Sequence, residues 1–194
     1  MTEIRVGKRF FAAANWAAEL HGSMPGALTP SVAQVLGVAS LVLADGGSNR
    51  DASAGMLVDV GRGHALEVTE VRGRFGKKTA RLVVACTDAL ADPERLDVEP
   101  DPGVLRICAA VTVHDLQEFV RDVRRHGSVA FARFAAPPHE VLDRYRELVA
   151  RFRRRLGRSS MLTPELRAAF AELERDAELD TAVAAWRVAH VDAA

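Results

Sequence analysis

The sequence predicts an all-α, single-domain protein, and three observations predict it. Apolar residues recur at helical spacing in one segment after another, no run alternates with period two, and Gly or Pro punctuates the segments. No repeat of solenoid length is present either. The first segment, "RVGKRFFAAANWAAELHG", sets Phe10, Ala13, Ala14, Ala17 and Leu20 on one helical face, with Gly22 as its end. "TPSVAQVLGVASLVLADGG" offers Thr29 as N-cap and Pro30 at the first helical position, and closes at Gly46-Gly47. "NRDASAGMLVDVG" reads as a third helix, capped near Asn49 or Asp51 and ended near Gly61. "HALEVTEVRGRFG" reads as a short helix and turn, and "KKTARLVVACTDAL" as the next helix.

Residues 91–103, "ADPERLDVEPDPG", are rich in Pro and Asp and read as a loop. "VLRICAAVTVHDLQEFVRDVRRHG" is a long helix, mostly apolar in its first half and therefore expected at the centre, ending at Gly127. A helix restarts after Pro137-Pro138 and stops at Gly157. The last helix repeats the Thr-Pro start at Thr163-Pro164 and is amphipathic throughout.

At 194 residues the chain is long enough for one domain with a real core. Acids and bases cancel at 26 each, so no global field argues for nucleic acid or an anionic membrane as partner. The apolar stretches are too short to span a bilayer, and "MTEIRVGKRF" has no apolar signal core. Cys86 and Cys108 make no disulfide framework, which fits a reduced cytoplasmic setting. Heavy Ala, Arg, Val and Leu usage with few Lys suggests a GC-rich bacterial genome.

Six landmarks then occur in order: "AAELHG", "PSVAQVLGVASLVLADGG", "AGMLVDV", "RFGKKTARLVVACTD", "VHDLQEFVRDVRRHG" and "ARFAAPPHEVLDRYRELV". Together, over roughly residues 8 to 156, they resemble the HD-domain hydrolases of the RelA/SpoT type, in particular the small stand-alone alarmone hydrolases. The resemblance implies an all-helical HD fold over residues 1–160, with 161–194 as a helical extension packed on the same domain. It also implies a central divalent metal, usually manganese, that activates water against a phosphate ester.

Carried over one by one, the metal ligands of that family are mostly missing. One ligand histidine falls on Gln34, a poor substitute for imidazole. The histidine of the His-Asp pair falls on Val58, while its aspartate is kept as Asp59. The acidic pair that positions water falls on Arg62 and Gly63. The last ligand aspartate falls on Val111, and the lysine after it on Thr112. The stretch after the first helix keeps a histidine at His21 but carries no basic residue, and loop 91–103 replaces a basic helix. The resemblance therefore implies a degenerate site with no metal and no other cofactor, inactive on guanosine tetraphosphate.

What remains is an emptied pocket for a small organic molecule. Asp59, enclosed and without a metal, is expected to have a raised pKa suited to acid/base chemistry, the alternative being a carboxylate held by structural hydrogen bonds. Gln34 either orients a ligand or is a satisfied core amide. His21 either faces the pocket mouth or answers the helix dipole. Asp115 stands where the family has a substrate-touching asparagine, and Tyr145 matches a family tyrosine near the substrate or is a core aromatic. Thr87 and Asp88 read as structural caps, and the basic run at 151–158 as a solvated face. Three functions follow: metal-free chemistry of lyase, isomerase or cyclase type in specialised metabolism, with Asp59 as acid/base; a catalytically inactive small-molecule or protein-binding module; and a phosphohydrolase with a displaced metal. A homo-oligomer is compatible with the sequence.

Overall fold

A computed structural model describes residues 7–22, 32–63, 67–157 and 159–190; side chains at 21–22, 32–34, 59–63 and 179–190 lie outside that description. The described residues form α1 (Lys8–Gly22), α2 (Val32–Ala44), α3 (Asn49–Gly63), α4 (Val68–Phe75), α5 (Lys77–Ala91), α6 (Arg95–Val98), α7 (Pro102–His126), α8 (Pro138–Arg155) and α9 (Leu162–His190), with a 3-10 turn at Gly127–Arg133. No strand occurs among them.

Two helices organise the rest. α3 packs against α1, α2, α5 and α7, and α7 packs against α2, α3, α5, α8 and α9. Every residue from Ala52 to Val58 and from Ile107 to His114 is buried. A helix buried on all sides for two turns must be apolar all round, which is why the first half of α7 carries no charge after Arg106 until Asp115. Small residues permit the close approach. A Cβ on Gly37 of α2 would stand 2.6 Å from Cδ2 of His114, so glycine there is what lets a buried imidazole lie against α2.

The helix starts differ from the sequence expectation in three places. α3 is capped by Ser48, one residue earlier than expected. Asp51 N–H donates to Ser48 Oγ at 3.2 Å and Ser48 N–H donates to Asp51 Oδ2 at 2.9 Å, a reciprocal capping box. α7 begins at Pro102, inside the expected loop, because the Asp101 carboxylate accepts from Gly103 N–H at 2.9 Å. α9 begins at Leu162, so Thr163 is not its cap, and the buried Thr163 hydroxyl finds no partner among the described residues. The start is fixed instead by Asp45, whose Oδ1 accepts from Ser160 Oγ at 2.7 Å and from Met161 N–H at 2.8 Å; Ser160 Oγ in turn accepts from Leu162 N–H. The Thr29-Pro30 start of α2 lies outside the described residues.

Residues 91–103 are not wholly loop, since they hold the four-residue α6. Its Leu96 is fully buried. The basic run at the end of α8 grips the segment: Arg151 and Arg154 reach the Asp97 carboxylate at 3.5 and 3.4 Å, and Arg155 donates to the carbonyls of Asp97 and Glu99. Three arginines that read as a solvated face thus hold a neighbouring segment. Nor do Thr87 and Asp88 cap a helix. Thr87 Oγ1 donates back to Val83 O at 2.9 Å, and Asp88 pairs with Arg95 at 3.6 Å. Cys86 and Cys108 are free and buried, and burial pushes the Cys86 thiol up.

Candidate functional site

α7 presents different faces to three surroundings. Val111 is fully buried in the core. His114, one turn on, turns toward α2 and rests on Gly37; its Nε2 stands 3.9 Å from Glu118 Oε1, and its Nδ1 has no hydrogen-bond partner among the described residues. Thr112 and Asp115, three residues apart and so on one side of the helix, face a cavity.

That cavity has a volume of about 440 Å³ and lies between α7 and α8, with Leu90 of α5 and residues 134–136 completing its wall. Its floor is buried: Thr112, Val141 and Leu148. Phe134 and Tyr145 are half-buried walls whose rings meet edge to face at 90°, with centroids 6.5 Å apart. Phe119 backs both rings, at 5.0 Å from Phe134 and 6.1 Å from Tyr145. The Arg133 guanidinium, 5.1 Å from the Phe134 ring centroid, is itself tied to Asp122 at 2.6 Å. The aromatic wall is thus supported from behind. The rim carries Glu140 and Arg144, both exposed.

The chain positions these groups by helical spacing. Residues 140, 141, 144, 145 and 148 fall on one face of α8, and Pro138 starts that helix so that its first turn borders the 134–136 segment. The volume, and a largely apolar lining that brings a few polar groups together, are those of a small-molecule site.

Of the residues singled out from sequence, Asp115 and Tyr145 both line this cavity. The side chains of Asp59, Gln34 and His21 lie outside the described residues; their backbones belong to α3, α2 and the last turn of α1. Sequence reading missed Glu140, Arg144, Thr112 and Phe134 as cavity residues. The signal for the α8 pair was present: Glu140 and Arg144 share a face with Tyr145, which had been singled out.

The implied divalent metal does not fit the residues present. Positions that would supply an imidazole and a carboxylate hold Val58 and Val111, both fully buried and without donor atoms. Among the described residues, no three His, Cys, Asp or Glu side chains converge as a metal set. No described helix is long and apolar enough to cross a membrane.

No curated protein matches the chain. Residues 13–101, from within α1 to the residue that caps α7, match the family model of the HD domain. Most of the cavity lining, from Thr112 onward, follows the matched stretch in the chain. The all-helical architecture and that match together identify an HD domain at residues 13–101 within an all-α fold.

Proposed function

We propose that the protein is a metal-free HD-fold protein that binds a small organic molecule in the cavity between α7 and α8. One observation carries the reading: a cavity of about 440 Å³ whose buried floor combines Val141 and Leu148 with the polar Thr112, and which has polar groups at its walls and rim. The valines at 58 and 111 support the absence of metal-activated water, and so a departure from the RelA/SpoT-type hydrolases that the sequence resembles. The sequence sets the ligand in a central pocket around Asp59, with non-hydrolytic proton transfer of lyase, isomerase or cyclase type. No residue of α3, which carries Asp59, lines the described cavity, so the cavity is proposed as a binding site and acid/base chemistry by Asp59 stands as a separate proposal. The same two valines favour a second reading, a binding module without catalysis, because they remove reactive groups without installing others.

Two experiments test this. A fragment screen by ligand-observed NMR is run on the full chain and on Ala136→Trp, which fills the half-buried wall of the cavity. Fragments that bind the parent chain and lose binding in the variant, with melting unchanged, are the expected result; binding indifferent to the variant refutes the site. Asp59→Asn keeps shape and removes the proton-transfer capacity. Turnover of whatever substrate the screen leads to should fall by about 100-fold or more. Full turnover in that variant removes Asp59 from the mechanism and leaves the binding site standing.

A further inference from the structure

We infer that the cavity takes a zwitterionic molecule with an apolar or single-ring body, of the amino-acid class, whose ammonium and carboxylate groups are held at the rim by Glu140 and Arg144. This rests on the small-molecule reading above and names the ligand class for that site.

The argument starts from the rim. Glu140 and Arg144 are four residues apart on α8, a spacing that sets Cβ atoms about 6 Å apart and ordinarily permits an ion pair. Glu70 and Arg74 at the same spacing on α4 are joined at 2.9 Å. Glu140 and Arg144 make no ion pair and no hydrogen bond among the described residues, and both line the cavity. Opposite charges a helical turn apart, unpaired with each other, present one anchor for a cation and one for an anion. Because both are exposed, engaging them costs little desolvation.

The interior sets the rest of the ligand. Leu90, Val141 and Leu148 offer an apolar bed, and Phe134 with Tyr145 offers ring faces. About 440 Å³ lies at the small end of the range for organic ligands, enough for one ring or a branched aliphatic chain. Charge sign argues against a phosphate ester. At the rim the Glu140 carboxylate offsets the single guanidinium of Arg144, so a dianion meets as much repulsion as attraction there. A simple amine leaves Arg144 unused, and a simple acid leaves Glu140 unused.

The test is calorimetric titration of the full chain with three related compounds: L-phenylalanine, 2-phenylethylamine and 3-phenylpropanoate. L-Phenylalanine should bind about threefold to fivefold more tightly than either partner lacking one charge, the worth of one exposed ion pair. Arg144→Gln should abolish its advantage over the amine, and Glu140→Gln its advantage over the acid. Both side chains are exposed, so neither substitution puts folding at stake. Equal binding of the three compounds, or a preference that survives both substitutions, overturns the zwitterion and leaves the cavity reading standing. Silence with all three at millimolar concentration also overturns it, and the fragment screen with Ala136→Trp then decides the cavity reading on its own.

Discussion

Replacing Asp45 with alanine tests whether one carboxylate at the end of α2 ties three helices together. Its side chain is only 5% exposed. It accepts the Arg106 guanidinium of α7 at 3.0 Å, the Ser160 hydroxyl at 2.7 Å and the Met161 N–H at 2.8 Å at the start of α9. The two bonds to the α9 start are charge-assisted, worth about 1.5–3 kcal/mol each when buried. The sum is reduced because Met161 N–H lies at an exposed residue, and Arg106, 23% exposed, can turn to water and so adds little. A loss of about 3 kcal/mol results, within the range for removing one partner of a buried pair. For a chain of this length that is a fall of roughly 6–12 °C in melting temperature. Glu70→Ala, which breaks the exposed pair with Arg74, is the control and should cost about 0.5 kcal/mol or less. Urea unfolding at neutral pH measures both. An Asp45→Ala loss no larger than the control refutes the reasoning, since burial and multiple bonding would then count for nothing at this junction.

Three further outcomes are expected. Gly37→Ala should cost about 1–3 kcal/mol by overpacking on His114; the cost should shrink markedly in a His114→Ala background, and an additive double-mutant cycle in denaturant would contradict the contact. The Cys86 thiol, raised above its usual 9.0 by burial first and by Cys108 beside it, should resist a disulfide reagent in the native state. The sign for stability follows: the unfolded thiol ionises near its usual value while the native one stays protonated, so stability is intact below about pH 9 and falls as pH rises above it; Cys86→Ala should flatten that part of the profile, and an unchanged slope would reject the assignment. Protein purified without chelator should hold no near-stoichiometric manganese, iron or zinc by elemental analysis, and a stoichiometric transition metal would defeat the metal-free reading.

The helices were legible because their signals are local. Apolar residues at 3.6-residue spacing, Pro138 at the start of α8 and Gly127 at the end of α7 act within a few residues of where they stand. Two of the misplaced starts, the Ser48–Asp51 capping box and the Asp101 cap, have local signals; the other errors fall where a distant residue supplies the bond. Thr163-Pro164 has the composition of a helix start, yet Asp45, more than a hundred positions earlier, fixes that start two residues sooner. Residues 91–103 have the composition of a loop, yet arginines of α8 hold a turn of helix there. Nothing in a single local window reports such partners. The cavity was half legible for the same reason: Asp115 and Tyr145 were visible one at a time, while their common cavity depends on how α7 and α8 pack.

Burial on α3 and α7 also bears on the metal chemistry that the RelA/SpoT resemblance implies, which one substitution would not supply. Val58 and Val111 are both fully enclosed, and each belongs to a run of residues buried without interruption. Restoring aspartate at 111 alone would place a carboxylate in that core with His114, one turn away, already turned against Gly37 of α2. A buried carboxylate without a cation or full hydrogen bonding costs several kcal/mol, a large share of a domain's total stability. Restoring histidine at 58 alone would force a larger polar ring into space filled by a valine, with overpacking added to desolvation. Each step back is uphill until the ligands are assembled together. By contrast, the groups at the α8 rim are exposed and change at little cost to the fold. The exposed rim positions Glu140 and Arg144 are therefore easier to vary without cost to the fold than the enclosed positions 58 and 111.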